Sequence, residues 1–530
     1  MNGTPTAWSG RSMVGAALDN PGAIAVAAVV VMASVYIQFT SLINHDSAWF
    51  LYSVDAFFEG GRLYQDIFFE VNPPLAFYLT IPPVYVSRVT GLFAPHVFIA
   101  YVFGLIAISL WLVRYLLAQH AGHSSSVRRG VLSSALLALA VCPAVDFGQR
   151  EHLMMILALP YMVLAAHRAV KGACRPLVAG SLGVLAALGL ALKPYFLLLP
   201  VALELYLLFA GRRLTGVLRP ETLGLAGAGL LYGLALVWFT PDYLTRIVPF
   251  ALQVFHQGFM SSPASALWRL ETLFLPVLLI LHVATRRNQP GRALADVFTL
   301  AAVSFFLAYV MQMKAWSYQL FPTTASVVLA LGAILSGGRK HGASPLPASG
   351  REYVSRLAAP VAAVMLLTLA GVGILRGGYQ SEFVERLAPV VRKHAAGSAI
   401  YVFSSNLSAG FPLVNVTGVR WASRFPMQWL LPGLVRRRAD LAQQDAAVEP
   451  EGLREIHRYA LDAVVADLIR WSPELIFVDV REDKSYFGGL RFDYLAYFSK
   501  DPRFAQIWSR YELLKDFGTY HLYKRRPTPH

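Results

Sequence analysis

Cysteine and charged side chains are both scarce in this chain of 530 residues. The two cysteines, Cys142 and Cys174, lie in or beside apolar segments, so we expect neither a structural disulfide nor a metal site from them. Charged residues make up only 15% of the chain, whereas hydrophobic residues make up 56%. A soluble protein of this size carries more charge, and this composition is typical of a protein that crosses a membrane several times.

Acidic residues are fewer than basic ones, and the formal net charge is +15. In a soluble protein this balance would suggest nucleic-acid binding. Here many of the basic residues lie in short loops between apolar runs, as in the cytoplasmic loops of membrane proteins, so we expect a lipid bilayer and no nucleic-acid partner. The first 21 residues lack the features of a cleaved signal peptide, and the apolar run after them is expected to remain as an anchor.

Eleven apolar runs reach, or nearly reach, the roughly 20 residues that one helix needs to cross a bilayer core. They are 22–43, 97–118, 130–145, 152–170, 177–192, 194–210, 222–240, 268–284, 294–312, 319–336 and 358–376. A further run, 74–90, has Pro82-Pro83 in its middle. These runs predict a polytopic α-helical membrane protein with about 11 transmembrane helices, within a range of roughly 11–13.

Basic residues in short loops mark the cytoplasmic side of a membrane protein. The basic loops are Arg128-Arg129, His167-Arg168 with Lys171 and Arg175, Arg212-Arg213 with Arg219, Arg286-Arg287 with Arg292, and Arg339-Lys340 with Arg351 and Arg356. This orientation places the N-terminus, 1–21, in the cytoplasm and the loops 44–75, 143–152, 241–266 and 313–318 on the outer face. The loop 44–75 and the start of the run at 97 then lie on the same side, so 74–90 is predicted to be a juxtamembrane or re-entrant segment.

The composition changes after residue 376, where the membrane part, 22–376, is predicted to end. Short β-like runs occupy 397–404, 474–480 and 518–525, and helical patterns occupy 434–446 and 451–470. No nucleotide-binding glycine motif occurs between them. The segment 377–530 is therefore predicted to be a small α/β domain on the outer, periplasmic side.

The stretch 44–75 is the first place where charge and aromatic residues mix. Its acidic residues are Asp46, Asp55, Glu59, Asp66 and Glu70, and Arg62 is the one fully basic residue among them. We predict an amphipathic helix at about 47–59, ended by Gly60-Gly61 because glycine adopts the left-handed C-cap conformation without strain. An acidic loop on a membrane surface suits catalysis on a lipid-linked substrate, although an ordinary solvated loop has the same composition.

The order of these features resembles that of the polyprenyl-phosphate-sugar-dependent glycosyltransferases of the GT-C fold, which include the protein O-mannosyltransferases and the lipid A aminoarabinose transferase. The matching residues are His45-Asp46, Glu59-Gly60-Gly61 with Tyr64 and Asp66, and Asn72-Pro73-Pro74-Leu75. Two positions depart from the pattern: Ser47 follows the aspartate where the family often has Glu, and Asn72 stands where Lys is common.

The resemblance covers roughly 20–376 and implies a GT-C-like membrane domain whose outer-face catalytic loop is 44–75. It implies a glycosyltransferase that moves a hexose or pentose from a polyprenyl-phosphate donor, with inverting chemistry. The acceptor would be a glycolipid, polysaccharide or protein of the envelope, at the outer face of a bacterial inner membrane.

Asp46 is the candidate general base, because the resemblance places the catalytic acidic residue there and a low dielectric can raise a carboxyl pKa to a useful value. A loop carboxylate without a catalytic role is the alternative. His45, Asp66 and Glu70 are candidates for binding substrate, and the last two could equally order the loop.

A second cluster of ionisable residues, 146–152, joins two apolar runs on the same predicted face. Arg150 could clasp a phosphate with two hydrogen bonds. Glu151 could assist Asp46 as a second catalytic carboxylate, and His152 could bind substrate. A buried ion-pair network that braces the helices is the alternative. A divalent metal held by His45, His152, Asp46 and Glu151 is a further option, although no spacing here is a recognised metal motif.

Two lysines near the outer face are candidates for the donor phosphate. Lys193 interrupts a long apolar run and must either reach outward to water or find an anion. Lys314 begins the stretch 314–319, which resembles the Lys-Gly-Trp-x-Tyr-His stretch of related transferases, with Ala315 for Gly and Gln319 for His. There Trp316 and Tyr318 could stack on a sugar or serve as interfacial anchors.

Two further segments are weaker candidates for acceptor binding. The loop 241–266 contains His256 and is long enough to cover a site, although it could be a plain connection. The segment 420–426, which contains Arg420, Trp421 and Arg424, could contact a sugar acceptor or brace the outer domain against the membrane part.

A transporter or lipid flippase is the main alternative function, because it shares the many helices and the charges near the membrane. Such proteins are often built from two related halves with interrupted helices at mid-membrane. No such repeat is visible here, and the candidate residues gather on one face. A catalytically inactive envelope-assembly protein is the third possibility.

Overall fold

The computed structural model describes residues 21–119, 124–211, 218–286, 291–336, 350–445 and 448–527. The helices of the membrane part are α1 (Pro21–Thr40), α2 (His45–Phe58), α3 (Leu75–Thr90), α4 (Ala94–Gln119), α5 (Ser125–Leu136), α6 (Arg150–Ala169), α7 (Pro176–Leu190), α8 (Leu198–Gly211), α9 (Pro220–Phe239), α10 (Pro263–Leu267), α11 (Leu270–Thr285), α12 (Arg292–Gln312), α13 (Ser317–Leu335) and α14 (Gly350–Arg376). Most of the predicted cytoplasmic N-terminus and the basic pairs at 212–213 and 339–340, with Arg287, lie outside the described residues.

Each of the eleven predicted apolar runs coincides with a helix. Six of the described helices are long and apolar enough to cross a membrane: α4, α6, α9, α12, α13 and the part of α14 from Leu357 to Arg376. The chain is a multi-pass membrane protein, and a count of about 11 crossings stays a prediction. Helices form throughout these runs because a backbone in lipid has to satisfy its hydrogen bonds within its own segment.

The helices differ strongly in how much of their surface other helices cover. In α6 and α13, 89% of the apolar window is buried, whereas no residue in the apolar window of α9 is fully buried. Close backbone approach joins α9 to α7, since a Cβ at Gly224 would lie only 2.3 Å from the carbonyl oxygen of Gly180. Small residues at a helix contact are the usual means of close packing in membranes.

The proline-containing run 74–90 forms the 16-residue helix α3, which includes Pro82 and Pro83 and ends at Gly91 in the left-handed conformation. Sixteen residues give a helix of roughly 24 Å, shorter than a bilayer core of about 30 Å. Its predicted juxtamembrane or re-entrant position stays a prediction.

The amphipathic helix predicted at about 47–59 is confirmed as α2, which begins two residues earlier than expected. Asn44 caps it, because its side-chain oxygen accepts a hydrogen bond from the backbone N–H of Asp46. Gly60, with φ +93°, follows the end of the helix as predicted.

The prediction of a loop over 241–266 is wrong for most of its length, because 243–259 is helical with two π-helical segments, Tyr243–Ile247 and Ala251–Phe255. Its aromatic residues pack on the C-terminal part of the chain. The ring centroids of Phe250 and Tyr459 lie 5.5 Å apart, and those of Phe255 and Trp429 lie 5.9 Å apart. These long-range contacts stabilise a helix that the local sequence pattern does not predict.

The C-terminal unit, 377–527, contains a five-stranded sheet of order β2-β1-β3-β5-β4. Its strands are β1 (Ala399–Phe403), β2 (Arg420–Trp421), β3 (Leu475–Asp479), β4 (Tyr511–Asp516) and β5 (Tyr520–Arg525). Its helices are α15 (Glu382–Ala395), α16 (Leu413–Thr417), α17 (Leu430–Gln443), α18 (Glu451–Trp471), α19 (Tyr494–Phe498) and α20 (Pro502–Trp508). The central strand β1 pairs in parallel with β2 and β3, and β5 pairs antiparallel to both β3 and β4.

The sheet contains the three predicted strands and two that the sequence did not indicate. Every residue of β1 and β3 is buried, which produces the continuous apolar runs that mark covered strands. The missed strands leave little pattern, because β2 is two residues long and β4 is an edge strand that is mostly exposed.

The C-terminal unit covers the stretch 44–75, which we had interpreted as a loop lying on a membrane surface. Trp429 donates its indole N–H to the carbonyl of Phe69 at 2.9 Å, and the N–H of Phe69 donates to the carbonyl of Arg424 at 2.8 Å. Asn415 donates to the carbonyl of Ala48 at 3.0 Å. The stretch is therefore held between the membrane helices and the sheet unit, which fixes the positions of its carboxylates.

Candidate functional site

A cavity of about 520 Å³ lies between the ends of the membrane helices and the C-terminal unit. It brings together residues that are far apart in the sequence. Eight of the predicted site residues line it: His45, Asp46, Glu70, Arg150, Lys193, Lys314, Trp316 and Tyr318. From the predicted set, the cavity therefore contains two carboxylates, three basic side chains, one imidazole and two aromatic rings.

Arg150, the first residue of α6, lies between the two cavity carboxylates. Its Nη2 is 3.4 Å from the carboxylate of Asp46, and its Nη1 is 3.8 Å from that of Glu70. Trp49 and Asn72 donate hydrogen bonds to Glu70, which fix its carboxylate. Asp46 stays partly accessible, with 15% of its side chain exposed.

The guanidinium group of Arg150 has unused hydrogen-bond donors. Its side chain is only 5% exposed, and its Nε and Nη1 have no hydrogen-bond partner among the described residues. The rings of Phe50 and Tyr318 flank the group at 5.6 and 5.9 Å. A buried cation with free donors in a cavity is suited to binding an anion in two-point fashion.

Lys193 is paired inside the protein. Its Nζ donates to the carboxylate of Glu151 at 2.5 Å, and Glu151 is itself buried and does not line the cavity. The Lys193 ammonium also lies 5.1 Å from the centroid of the Tyr318 ring. Glu151 therefore neutralises Lys193 and holds it at the cavity wall.

The ammonium group of Lys314 contacts aromatic rings and none of the described carboxylates. Its Nζ lies 3.7 Å from the centroid of Phe255 and 5.0 Å from that of Trp316, and no described carboxylate forms an ion pair with it. Burial, with the nearby charges of Lys193 and Arg150, lowers the pKa of Lys314 well below its usual value. An anion in the cavity would restore the charge of this ammonium.

The backbone around Lys314 is left-handed at two non-glycine residues, Met313 with φ +47° and Ala315 with φ +55°. This conformation is strained for a residue with a Cβ atom. Glycine would adopt the conformation of Ala315 without this strain.

Four predicted site residues lie away from the cavity. Glu151, described above, is one of them. His152 is another: it accepts a hydrogen bond from the N–H of Gly148 and bonds the carbonyl of Leu139, so it holds the helix ends together. Asp66 forms ion pairs with Arg62 and Arg470 at the surface. His256 is exposed and does not line the cavity. The structure thus lends no support to substrate contacts by His152, Asp66 or His256 in this cavity.

The four residues proposed as possible metal ligands, His45, Asp46, Glu151 and His152, do not all line the cavity. No group of three or more His, Cys, Asp or Glu side chains in the described ranges is placed to hold a metal ion. His152 and Glu151 are committed to Leu139 and Lys193, which leaves His45 and Asp46 alone. The possible divalent metal stays a prediction.

Several cavity residues were not predicted, because they come from distant parts of the chain. Tyr486 and Asn406 enter from the C-terminal unit, and the ring of Tyr486 lies 6.2 Å from that of Trp316. Gln149 is buried with its amide unpaired among the described residues. Of these three residues, only Gln149 had a sequence signal, which was its position next to Arg150 in the cluster 146–152.

Two buried carboxyl groups of the cavity have strongly raised pKa values. Burial raises the pKa of Glu70 to about 7, although the nearby charge of Arg150 lowers it. Burial likewise raises the pKa of Asp146 to about 7, against the lowering effect of its hydrogen bond from Ser317. Both groups therefore change charge near neutral pH, which is uncommon outside functional sites.

ArnT from Cupriavidus metallidurans has a similar architecture in two solved structures. Its apo structure matches with a TM-score of 0.56 at 13% sequence identity, and the match covers 97% of this chain and 98% of that chain. Its structure bound to undecaprenyl phosphate matches with a TM-score of 0.52 at 12% identity and covers 98% and 100%. No protein-family model and no curated protein sequence matches the chain. The likeness extends over the C-terminal unit as well as the membrane helices.

Proposed function

Because the chain has the GT-C fold, we propose that it is a membrane glycosyltransferase that moves a sugar from a polyprenyl-phosphate donor to an acceptor in the cell envelope. The observation that carries the proposal is the cavity in which the Asp46 carboxylate lies beside Arg150, with Lys193 and Lys314 in the same wall. The ArnT structure that contains undecaprenyl phosphate supports a lipid-phosphate donor for this fold.

In the proposed reaction Asp46 takes the proton of an acceptor hydroxyl, and the resulting alkoxide attacks the anomeric carbon of the donor sugar. A carbon–oxygen bond forms as the bond from the anomeric carbon to the phosphate oxygen breaks. Polyprenyl phosphate leaves with the bonding electrons, and attack from the opposite face inverts the anomeric centre.

The basic residues of the cavity are proposed to stabilise the charge of the leaving phosphate. Arg150 offers two unpaired donors, and Lys314 offers an ammonium without a carboxylate partner. Lys193 contributes less, because Glu151 neutralises it. Trp316 and Tyr318 provide ring faces on which the sugar can stack. The membrane is proposed to be the bacterial inner membrane, with the C-terminal unit in the periplasm.

Reconstitution of the full chain in liposomes tests this function against the transporter alternative. We expect radiolabelled sugar to leave a pool of polyprenyl-phosphate sugars extracted from bacterial membranes and to appear on an acceptor, with release of polyprenyl phosphate. A transporter would move the lipid across the bilayer with its sugar still attached, and that result would contradict the proposal.

The raised pKa of Glu70, about 7, predicts a pH dependence of transfer. Above this pH the Glu70 carboxylate shares Arg150 with Asp46, so Asp46 is paired less tightly and is a better base. We expect kcat/KM to rise with pH through neutrality in the wild-type chain and to lose this rise in Glu70→Gln. Asp146→Asn serves as the matched control. A rise that persists in Glu70→Gln and disappears in Asp146→Asn would assign the ionisation to Asp146 instead.

A further inference from the structure

A second, smaller cleft of about 100 Å³ lies where α2 and the loop after it meet the C-terminal unit. Four aromatic side chains line it: Trp49, Tyr52, Trp421 and Trp471. Trp49 connects this aromatic cleft to the cavity, because its indole N–H donates to Glu70, which lines the cavity. The aromatic cleft therefore lies next to the candidate active site.

The aromatic rings of the cleft are held in place by packing. Trp49 and Tyr52 stack with centroids 6.5 Å apart, and the Tyr52 hydroxyl accepts a hydrogen bond from the N–H of Trp421 at 2.8 Å. Trp471 ends α18 and is half-buried. Trp49 and Trp421 are only 2% and 3% exposed, so the rings with a face open to a ligand are those of Tyr52 and Trp471. An open ring face carries negative charge density that attracts the slightly positive C–H groups of a sugar ring.

Charged side chains of both signs surround these rings. Glu59 and Asp66 supply carboxylates, and Arg420 and Arg470 supply guanidinium groups. The sum of these four charges is zero, and Arg470 lies 3.5 Å from Asp66. A balanced set of acceptors and donors suits a ligand with many hydroxyl groups better than an anion, for which one sign would dominate.

Ser53 provides an independent sign that the cleft binds something polar. It lines the cleft, is 1% exposed, and its hydroxyl has no hydrogen-bond partner among the described residues. A buried hydroxyl without a partner destabilises a fold. Five other hydroxyls in the described residues share this property, those of Tyr232, Thr299, Thr323, Tyr459 and Tyr494, so the support from Ser53 rests on its place in the cleft lining.

We propose that the aromatic cleft is a glycan subsite, which binds one sugar unit of a carbohydrate acceptor and holds the chain beside the cavity. A ring stacked on Trp471 would direct its hydroxyl groups to Ser53 and to the charged side chains at the rim. The subsite is built jointly by α2 and the C-terminal unit, which gives that unit a role in acceptor binding. The assignment of this glycan as the acceptor rests on the proposed function, whereas the subsite itself does not.

Binding to arrayed ligands tests the subsite without any need for transfer. The full chain in lipid nanodiscs is applied to oligosaccharides from bacterial envelope polysaccharides and lipopolysaccharide cores, printed beside peptides of similar length. We expect the wild-type chain to bind a subset of the oligosaccharides and Trp471→Ala to bind them at least about tenfold more weakly, since each tenfold step is a modest loss of contact energy. Trp471→Phe keeps a ring face and is expected to retain most of the affinity.

Two further variants separate loss of binding from loss of folding. Ser53→Ala removes a hydroxyl that pairs with nothing in the protein, so we expect weaker glycan binding with an unchanged or raised melting temperature. Trp111→Ala is the matched control, because Trp111 is 58% exposed on α4, away from the cleft. It is expected to bind as the wild type does.

Three results would overturn the subsite: no oligosaccharide binding by folded wild-type chain, binding to peptides alone, or equal binding by wild type, Trp471→Ala and Ser53→Ala. Oligosaccharide binding without any sugar transfer would keep the subsite and remove the proposed reaction. Transfer to a carbohydrate that the array shows to be bound only through the cavity would remove the subsite and keep the reaction.

Discussion

Replacement of Asp46 by Asn is expected to lower kcat for sugar transfer by about 100- to 10,000-fold, the usual contribution of a general base. Asn has the size of Asp and can still accept the hydrogen bond of Arg150, so the cavity keeps its shape. It cannot take a proton from the acceptor hydroxyl. Because Asp46 is not proposed to touch the donor phosphate, donor binding should change little.

The measurement is transfer of labelled sugar at saturating donor, at equal amounts of folded protein, with donor affinity determined separately. Asp55→Asn is the matched control. Asp55 lies on the same helix, is half exposed and pairs with Arg88 outside the cavity, so this variant should keep nearly full activity. Full activity in Asp46→Asn would move the base elsewhere, and Glu70 is then the next candidate because it is the other predicted carboxylate in the cavity wall.

Arg150→Lys is expected to reduce transfer by about 100- to 1,000-fold, comparable to the loss of one preorganised donor to a developing negative charge. Lysine keeps the positive charge that balances Asp46 and Glu70, so these buried carboxylates are not left without a counter-charge. It lacks the planar fork of donors that holds a phosphate in two-point fashion. The loss should therefore appear both in donor affinity and in kcat.

Arg168→Lys on the same helix is the control for the change of side chain itself. Arg168 forms two hydrogen bonds to the buried Glu221 at the opposite end of α6 from Arg150, so its replacement should affect stability more than activity per folded molecule. Melting temperatures of both variants distinguish the two effects. Unchanged donor affinity and transfer in Arg150→Lys would contradict the role of the guanidinium group and leave Lys314 as the main phosphate contact.

The sequence predicted the helices of the membrane part well, because the thickness of a bilayer sets a minimum length for an apolar run and the run itself is easy to see. The buried strands β1 and β3 were also predictable, since both faces of each strand are covered. The helical structure of 243–259 was not predictable, because it depends on aromatic contacts with Trp429 and Tyr459, which lie far along the chain in the C-terminal unit.

In the candidate site, too, some residues were predictable from the sequence and others were not. Asp46 and Lys314 could be proposed from the family resemblance, and Arg150 from a charge that stands beside an apolar run, where an unneeded charge is costly. The neighbours of Arg150, Glu151 and His152, were proposed from the same cluster of charges. In the structure His152 bonds a backbone carbonyl and Glu151 accepts from Lys193. A charge near a membrane can serve catalysis or hold helices together, and the sequence around it is the same in both cases.

By itself, the sequence determined that the chain is helical and crosses a membrane, where its apolar runs begin and end, and that a separate α/β unit follows. These properties depend on the solvent that each segment needs, and composition records that need locally. Only the tertiary structure decided that the stretch 44–75 is covered by the C-terminal unit, that Arg150 stands between Asp46 and Glu70, and that Ser53 faces an aromatic cleft. Each of these depends on contacts between segments that are far apart in the sequence, and such contacts arise from packing that no local pattern specifies.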